Sequence, residues 1–331
     1  MAKQITILGN GSWSSALAKI LTDNKQAIHW WMRSSEAIQS LTITHHNPHY
    51  LTSVKFDMNV VTLHDNIQEA IEASDIILIG IPSAFVVEAL QNLPLTIFKD
   101  KIILSAIKGI LPNENVILNE YLEAHFSVSL DDYCCISGPC HAEEVASEKL
   151  SYLTFASNNA ALAQEMADLF RNENLQTVVS NDVYGVQYAS VLKNIYALGA
   201  GIAHGLDYGD NFLSVYITNC FAELQQFMDV ISTQTQHHYN TSAYLGDLLV
   251  TCYSMHSRNR TFGNFIGKGY SVAAAKLELN MVAEGYYAAK GIDEICKKIN
   301  YTLPIANAIY EILWNHKSAK LAFKKIEDIC S

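Results

Sequence analysis

Lys193 is the one formally charged side chain in the twenty-four residues between Asp182 and Asp207, VYGVQYASVLKNIYALGAGIAHGL. Burying an unpaired ammonium is costly, so a lysine in such a stretch is paired, has its pKa lowered, or reaches water with its stem buried. A lysine of lowered pKa is also one that can pass a proton near neutrality. Wound as a helix, the stretch puts Gln187, Ser190, Lys193, Asn194 and His204 on one arc with Ala197 and Gly201. Val191, Leu192, Ile195, Leu198 and Ile202 take the other arc. The first arc reads as the wall of a cleft and the second as core. The stretch is long enough to cross a bilayer, but its polar stripe argues against that. From this stretch alone, a lysine reaching solvent and a lysine at work both stay open.

Two later segments carry groups that fit such a lysine. Asp247 stands among apolar residues in LGDLLVTC and is a natural partner for Lys193. Ser257-Arg258-Asn259-Arg260 opens a helical pattern with a serine at the N-cap and two arginines in the first turn. Arginine there opposes the helix dipole unless an anion sits at the helix end, so the segment is either a phosphate site or a basic surface turn.

At the other end of the chain an apolar strand, residues 5–8, runs into Gly9-Asn10-Gly11-Ser12-Trp13-Ser14 and then a helical pattern. Strand, glycine turn and helix in this order form the signature of a dinucleotide site: the glycines allow a tight turn and close backbone approach to a pyrophosphate at the helix N-terminus. The third glycine of the usual GxGxxG is here Ser14. A second strand, 27–32, ends at Arg33 rather than at the acidic residue that grips a ribose 2′-hydroxyl, which favours NADP over NAD unless Arg33 is merely solvated. Further apolar runs end at Pro82, at Lys108 and at Gly138, with helical stretches at 67–73 and 85–93 between the early strands. Such alternation predicts a doubly wound parallel sheet of the Rossmann type, whose strand ends would face one crevice. Past about residue 182 strand signals stop and helical periodicity takes over, so the expected organisation is a dinucleotide-binding domain at 1–182 and a helical substrate and catalytic domain at 183–331.

Composition bounds the rest. The chain has 331 residues, half of them hydrophobic, which suits two compact domains. A net charge of −11 without a basic run speaks against nucleic acid as a partner. Seven cysteines, an odd number without a CxxC pair, suit a reducing compartment, and neither His45-His46 nor His237-His238 has zinc-ligand spacing, so no metal is expected. No basic leader or long apolar run precedes the first strand; the expected location is the cytoplasm, with no membrane span. The expected partner is a small phosphorylated substrate, and a homodimer is left open.

Over nearly its whole length the chain resembles the bacterial NAD(P)-dependent glycerol-3-phosphate dehydrogenase family. The segments that carry the resemblance are GNGSWSSALA at 9–18, NPHYL at 47–51, IPSAFV at 81–86, SAIKGI at 105–110, ISGPCHAEEVA at 136–146, GVQYASVLKNIYALGAGIAHGLDYGDN at 185–211, LGDLLVTCYSMHSRNRTFG at 245–263 and VAEG at 282–285. The resemblance implies reversible hydride transfer between a nicotinamide and C2 of dihydroxyacetone phosphate, giving sn-glycerol 3-phosphate for phospholipid synthesis. It implies that Ser12, Trp13, Arg33, Lys108 and Ala142 contact the dinucleotide beside the Gly9 and Gly11 turn, with Arg258, Val282 and Glu284 from the second domain. Lys108, Gly138, Cys140, Asp247, Ser257, Arg258 and Asn259 would surround the substrate, and Lys193 would exchange the proton. A depressed Lys193 pKa is expected with that role.

The chain departs from the family pattern in places. Ser14 stands for a glycine, which adds a side chain near the pyrophosphate turn and is expected to weaken cofactor binding. Cys140 stands for a serine or threonine and loses a hydroxyl donor. Tyr244 and Ala189-Ser190 stand where the family commonly has glycines. The rival readings are a dehydrogenase of the same architecture acting on a hydroxyacyl, sugar-acid or nucleotide-sugar substrate, and an inactive NADP-binding sensor.

Overall fold

A computed structural model describes residues 3–232 and 237–330. Its contacts divide the chain into two units, one formed up to Ile107 together with Leu118–Val183, the other by Lys108–Ile117 with the chain from Tyr184 onward. The segment Lys108–Ile117 thus leaves the 1–182 range expected for the nucleotide domain and packs with the helices. Its turn is closed by pairing of Leu111 with Val116, and a Cβ on Gly291 would fall 2.7 Å from the Ile110 side chain.

The first unit is built, in chain order, from β1 (Ile5–Leu8), α1 (Ser12–Asp23), β2 (Ile28–Trp31), α2 (Ser35–Thr44), β3 (Val61–His64), α3 (Ile67–Glu72), β4 (Ile76–Ile79), α4 (Ser83–Leu90), β5 (Ile102–Ser105), α5 (Leu118–Phe126), β6 (Tyr133–Ser137), α6 (Ala142–Ala146), β7 (Ser151–Ala156), α7 (Ala160–Phe170) and β8 (Leu175–Ser180). The strands form one sheet in the order β3-β2-β1-β4-β5-β6-β7-β8. β1 and β4, both wholly buried, lie side by side where the strand order reverses. That reversal opens a crevice beyond their carboxyl ends, which is where the Gly9 turn stands. All pairings are parallel except β6 with β7, a step absent from the parallel sheet expected of the sequence.

The second unit continues with α8 (Val183–Gly205), α9 (Asp210–Ile231), α10 (Asp247–Tyr253), α11 (Arg258–Gly267), α12 (Val272–Leu279), α13 (Glu284–Lys298), α14 (Pro304–Trp314) and α15 (Ala319–Ile329). Among the described residues no helix is long and apolar enough to cross a membrane. Helices α8 and α11 meet backbone to backbone. A Cβ on Gly201 would lie 2.0 Å from the Arg260 carbonyl oxygen, and one on Gly263 would lie 2.0 Å from that of Leu198. Gly205 and Gly267 continue the seam. Gly201, expected on a cleft wall, is therefore at a helix contact, while His204 on the same arc is exposed. The seam locks the helix of Lys193 against the helix that starts at Arg258.

Glu223 on α9 sits in the core of this unit, 5% exposed. Its carboxylate accepts from the Ile305 and Ala306 N–H groups at 2.7 and 2.9 Å and from the Tyr196 hydroxyl at 3.1 Å, tying the start of α14 to α8 and α9. Burial pushes the carboxyl up to about 7 from an ordinary 4.5, against the pull of those three donors. A carboxyl raised in the folded state binds more protons folded than unfolded over that interval, so its contribution is complete below about 4.5 and is lost as pH rises through about 7. Thermal unfolding followed from pH 5 to 7.5 should show a falling midpoint component that Glu223→Gln abolishes; an identical slope in both proteins would exclude Glu223 as its source.

Candidate active site

Lys193 lies midway along α8 and is 4% exposed; Asp247, 1% exposed, is the first residue of α10, delivered there by a π-helical turn at Ser242–Gly246. The ammonium of Lys193 meets Asp247 Oδ1, and Lys108 Nζ stands 3.9 Å from Oδ2 of the same carboxylate. One buried carboxylate thus sits between two lysines, and within this trio one positive charge is in excess, which suits an anionic substrate. Thr251, one turn along α10, donates its hydroxyl to the Asp247 carbonyl at 2.6 Å and fixes the carboxylate's base.

A chain of amides organises the groups around the trio. Asn194 Nδ2 donates to the Lys108 carbonyl oxygen at 2.7 Å, and Asn259 Nδ2 donates to Asn194 Oδ1 at 2.9 Å. Asn259 Oδ1 in turn accepts from the Gly285 N–H at 2.9 Å. Asn259 therefore spends its oxygen and at least one of its two N–H donors joining α8, α11 and α13. Ser257 caps α11, its hydroxyl oxygen accepting from the Arg260 N–H at 3.2 Å, and Arg258 opens the helix. Val282 and Glu284 flank Ala283, just before Gly285. Val282 lines a cavity of about 140 Å³ in which Lys276 Nζ lies 3.7 Å from the centroid of the Tyr286 ring. Burial lowers the Lys276 pKa.

The first unit holds the remaining candidates. Gly9 has φ +107°, and a Cβ there would press on Gly80 and on the Ile81 nitrogen at 3.2 Å, so only glycine suits it. A Cβ on Gly11 would meet no protein atom within 4 Å, so the space before the turn is open. Helix α1 begins there with no side-chain cap and no acidic residue in its first turn. Open space, an uncapped helix start and the buried Ser12 beside Trp13 fit a pyrophosphate. Arg33 follows β2 and stacks on Phe85, its guanidinium carbon 5.7 Å from the ring centroid. Ala142 starts α6, which packs against α1. Gly138 has φ +130°, and a Cβ there would come within 2.5 Å of the Tyr152 carbonyl oxygen.

Models of the N-terminal and C-terminal parts of the NAD-dependent glycerol-3-phosphate dehydrogenases match residues 4–163 and 182–324. The chain is 34% identical to the glycerol-3-phosphate dehydrogenase [NAD(P)+] of Bacillus subtilis, over 98% of this chain and 94% of that one. It belongs to the NAD-dependent glycerol-3-phosphate dehydrogenase family. The Listeria monocytogenes enzyme of the same name is also 34% identical, over 97% of this chain and 94% of its own. The crystal structure of the Coxiella burnetii glycerol-3-phosphate dehydrogenase superposes with a TM-score of 0.89 at 26% identity, covering 98% of both chains.

Membership gives the departures a structural meaning. Ser14, which stands for the family's glycine, turns its hydroxyl to the Gly80 carbonyl oxygen at 2.9 Å and is fully buried. It fastens α1 to the end of β4. Cys140 directs its thiol to the Tyr152 carbonyl oxygen at 3.1 Å. The Tyr244 ring packs edge-on against Tyr239, with centroids 5.5 Å apart, and its hydroxyl is 3.4 Å from His237 Nδ1. Asn194 and Thr251, which orient Lys108 and Asp247, carry no signal in the sequence beyond their places on helical faces. Only their partners reveal them.

Proposed function

We propose that the protein reduces dihydroxyacetone phosphate to sn-glycerol 3-phosphate, reversibly, with NADPH preferred over NADH, and so supplies glycerophospholipid synthesis. The reading rests on one observation above the others: a buried Lys193–Asp247 pair with Lys108 beside it, in the same helical unit as the Arg258 helix start. When bound, the reduced nicotinamide supplies the hydride. Lys193 gives the proton to the oxygen on C2 and takes it back in the oxidative direction, while Lys108 helps meet the charge that develops on that oxygen. Asp247 orients the Lys193 amine.

We assign the substrate phosphate to Arg258 and the start of α11, with Ser257 and Asn259 shaping that start, and the remainder of the substrate to Lys108, Gly138 and the backbone at Cys140. The dinucleotide is assigned to Gly9, Gly11, Ser12, Trp13, Arg33 and Ala142, with Lys108, Arg258, Val282 and Glu284 completing its site. All seven cysteines are free thiols, which supports a cytoplasmic location. The charge of −11 supports a small-molecule partner over nucleic acid.

Steady-state oxidation of NADPH with dihydroxyacetone phosphate tests the reaction; cofactor binding without turnover would sink it. The same assay on Arg33→Ala should raise KM for NADPH about tenfold, the loss of a charge-assisted contact to the 2′-phosphate, and change KM for NADH little. Equal effects on both coenzymes would remove Arg33 from the 2′-phosphate.

A further inference from the structure

Asn47 is fully buried in the loop between α2 and β3, remote in sequence from the glycine turn that it touches. Its Nδ2 donates to the Asn10 carbonyl oxygen and to Ser15 Oγ, both at 2.9 Å. Its Oδ1 accepts from the N–H groups of His49 at 3.0 Å and Tyr50 at 3.2 Å. Both donors and both lone-pair positions of the amide are thereby used. A second side chain holds the same turn from β2, since Trp30 Nε1 donates to the Gly9 carbonyl oxygen at 2.8 Å.

A trans peptide points its C=O and its N–H in opposite directions. Holding the Asn10 oxygen therefore sets the aim of the Gly11 N–H, and holding the Gly9 oxygen sets that of the Asn10 N–H. Of the two glycines in this turn, Gly11 is the one whose surroundings are open, and it begins the uncapped end of α1. We propose that Asn47 is a positioning residue for the dinucleotide, which fixes the glycine turn so that the Gly11 N–H is directed at the pyrophosphate. The proposal rests on the assignment of that turn to the pyrophosphate.

Asn47→Asp is the sharper variant, because it is isosteric and keeps the acceptors for His49 and Tyr50 while replacing the donors to Asn10 and Ser15. Asn47→Ala removes all four bonds and adds no charge. Binding of NADPH and of adenosine 2′-phosphate, which has no pyrophosphate, is measured for wild type and both variants, together with kcat, the two KM values and the thermal midpoint. Both variants should bind NADPH about tenfold or more weakly, the worth of one to two hydrogen bonds. Adenosine 2′-phosphate affinity, kcat at saturating NADPH and KM for dihydroxyacetone phosphate should stay within about twofold of wild type, because a hydrogen bond lost at the turn reaches only ligands that contact it. Unchanged NADPH affinity in folded variants would overturn the inference alone, as would equal weakening of both ligands, which marks general loosening. Wild type that fails to bind NADPH would overturn the assignment of the turn and the inference together.

Discussion

Replacing Lys193 by alanine should lower kcat by about 10²–10⁴-fold, the usual worth of a positioned general acid, and leave NADPH affinity within about twofold, since the charge-bearing and backbone contacts assigned to the dinucleotide persist. The fold should survive, because Asp247 keeps Lys108 at 3.9 Å and does not become an isolated buried charge. Alanine alone does not separate proton transfer from charge stabilisation. Lys193→Arg does: guanidinium keeps the positive charge against Asp247 but does not release a proton in the working pH range. The expected result is a folded, cofactor-binding Lys193→Arg variant with turnover close to that of Lys193→Ala. An arginine variant retaining half of wild-type kcat would show that only the charge matters at this position and would end the proton-donor assignment.

The parts of this site that the sequence made legible are those whose chemistry contradicts their surroundings. A lone lysine in an apolar helix, an aspartate among leucines and arginines at a helix start each violate a local rule, and violations of that kind need a partner. The glycine turn was legible because strand, turn and helix follow one another within a few residues. What escaped were other features set by distant chain segments. Lys108 follows a sheet strand, β5, yet belongs to the helical unit. Asp247 is approached by two lysines where one was expected. β7 and β8 were not expected as strands; residues 175–180 run Leu-Gln-Thr-Val-Val-Ser and are mostly exposed or half-buried, so they lack the continuously buried run of β1 or β4. The bond that Ser14 makes was hidden because the direction of its hydroxyl depends on Gly80, which lies in another strand connection. Periodicity also put Gly201 on the right face of α8 without telling what that face meets.

The glycine seam between α8 and α11 leads to the second large expected effect. Gly263→Ala would place a methyl group 2.0 Å from the Leu198 carbonyl oxygen, well inside contact distance, and no flexible side chain is there to give way. The helices must separate or tilt, which costs about 1–3 kcal/mol as overpacking does elsewhere. Lys193 lies five residues before Leu198 on one helix, and Arg258 five residues before Gly263 on the other. A separation of about 1 Å between them displaces the proton donor from the assigned phosphate anchor and should reduce kcat/KM for dihydroxyacetone phosphate by about 10²-fold. NADPH binding should fall far less. Gly209→Ala is the control: its Cβ meets nothing within 4 Å and its φ is −83°, so both stability and turnover should stay near wild type. If Gly263→Ala loses stability but keeps kcat/KM, the two helices hold their site groups independently of the seam. If it loses kcat/KM with the melting midpoint barely moved, the seam serves mainly to set the distance between Lys193 and Arg258.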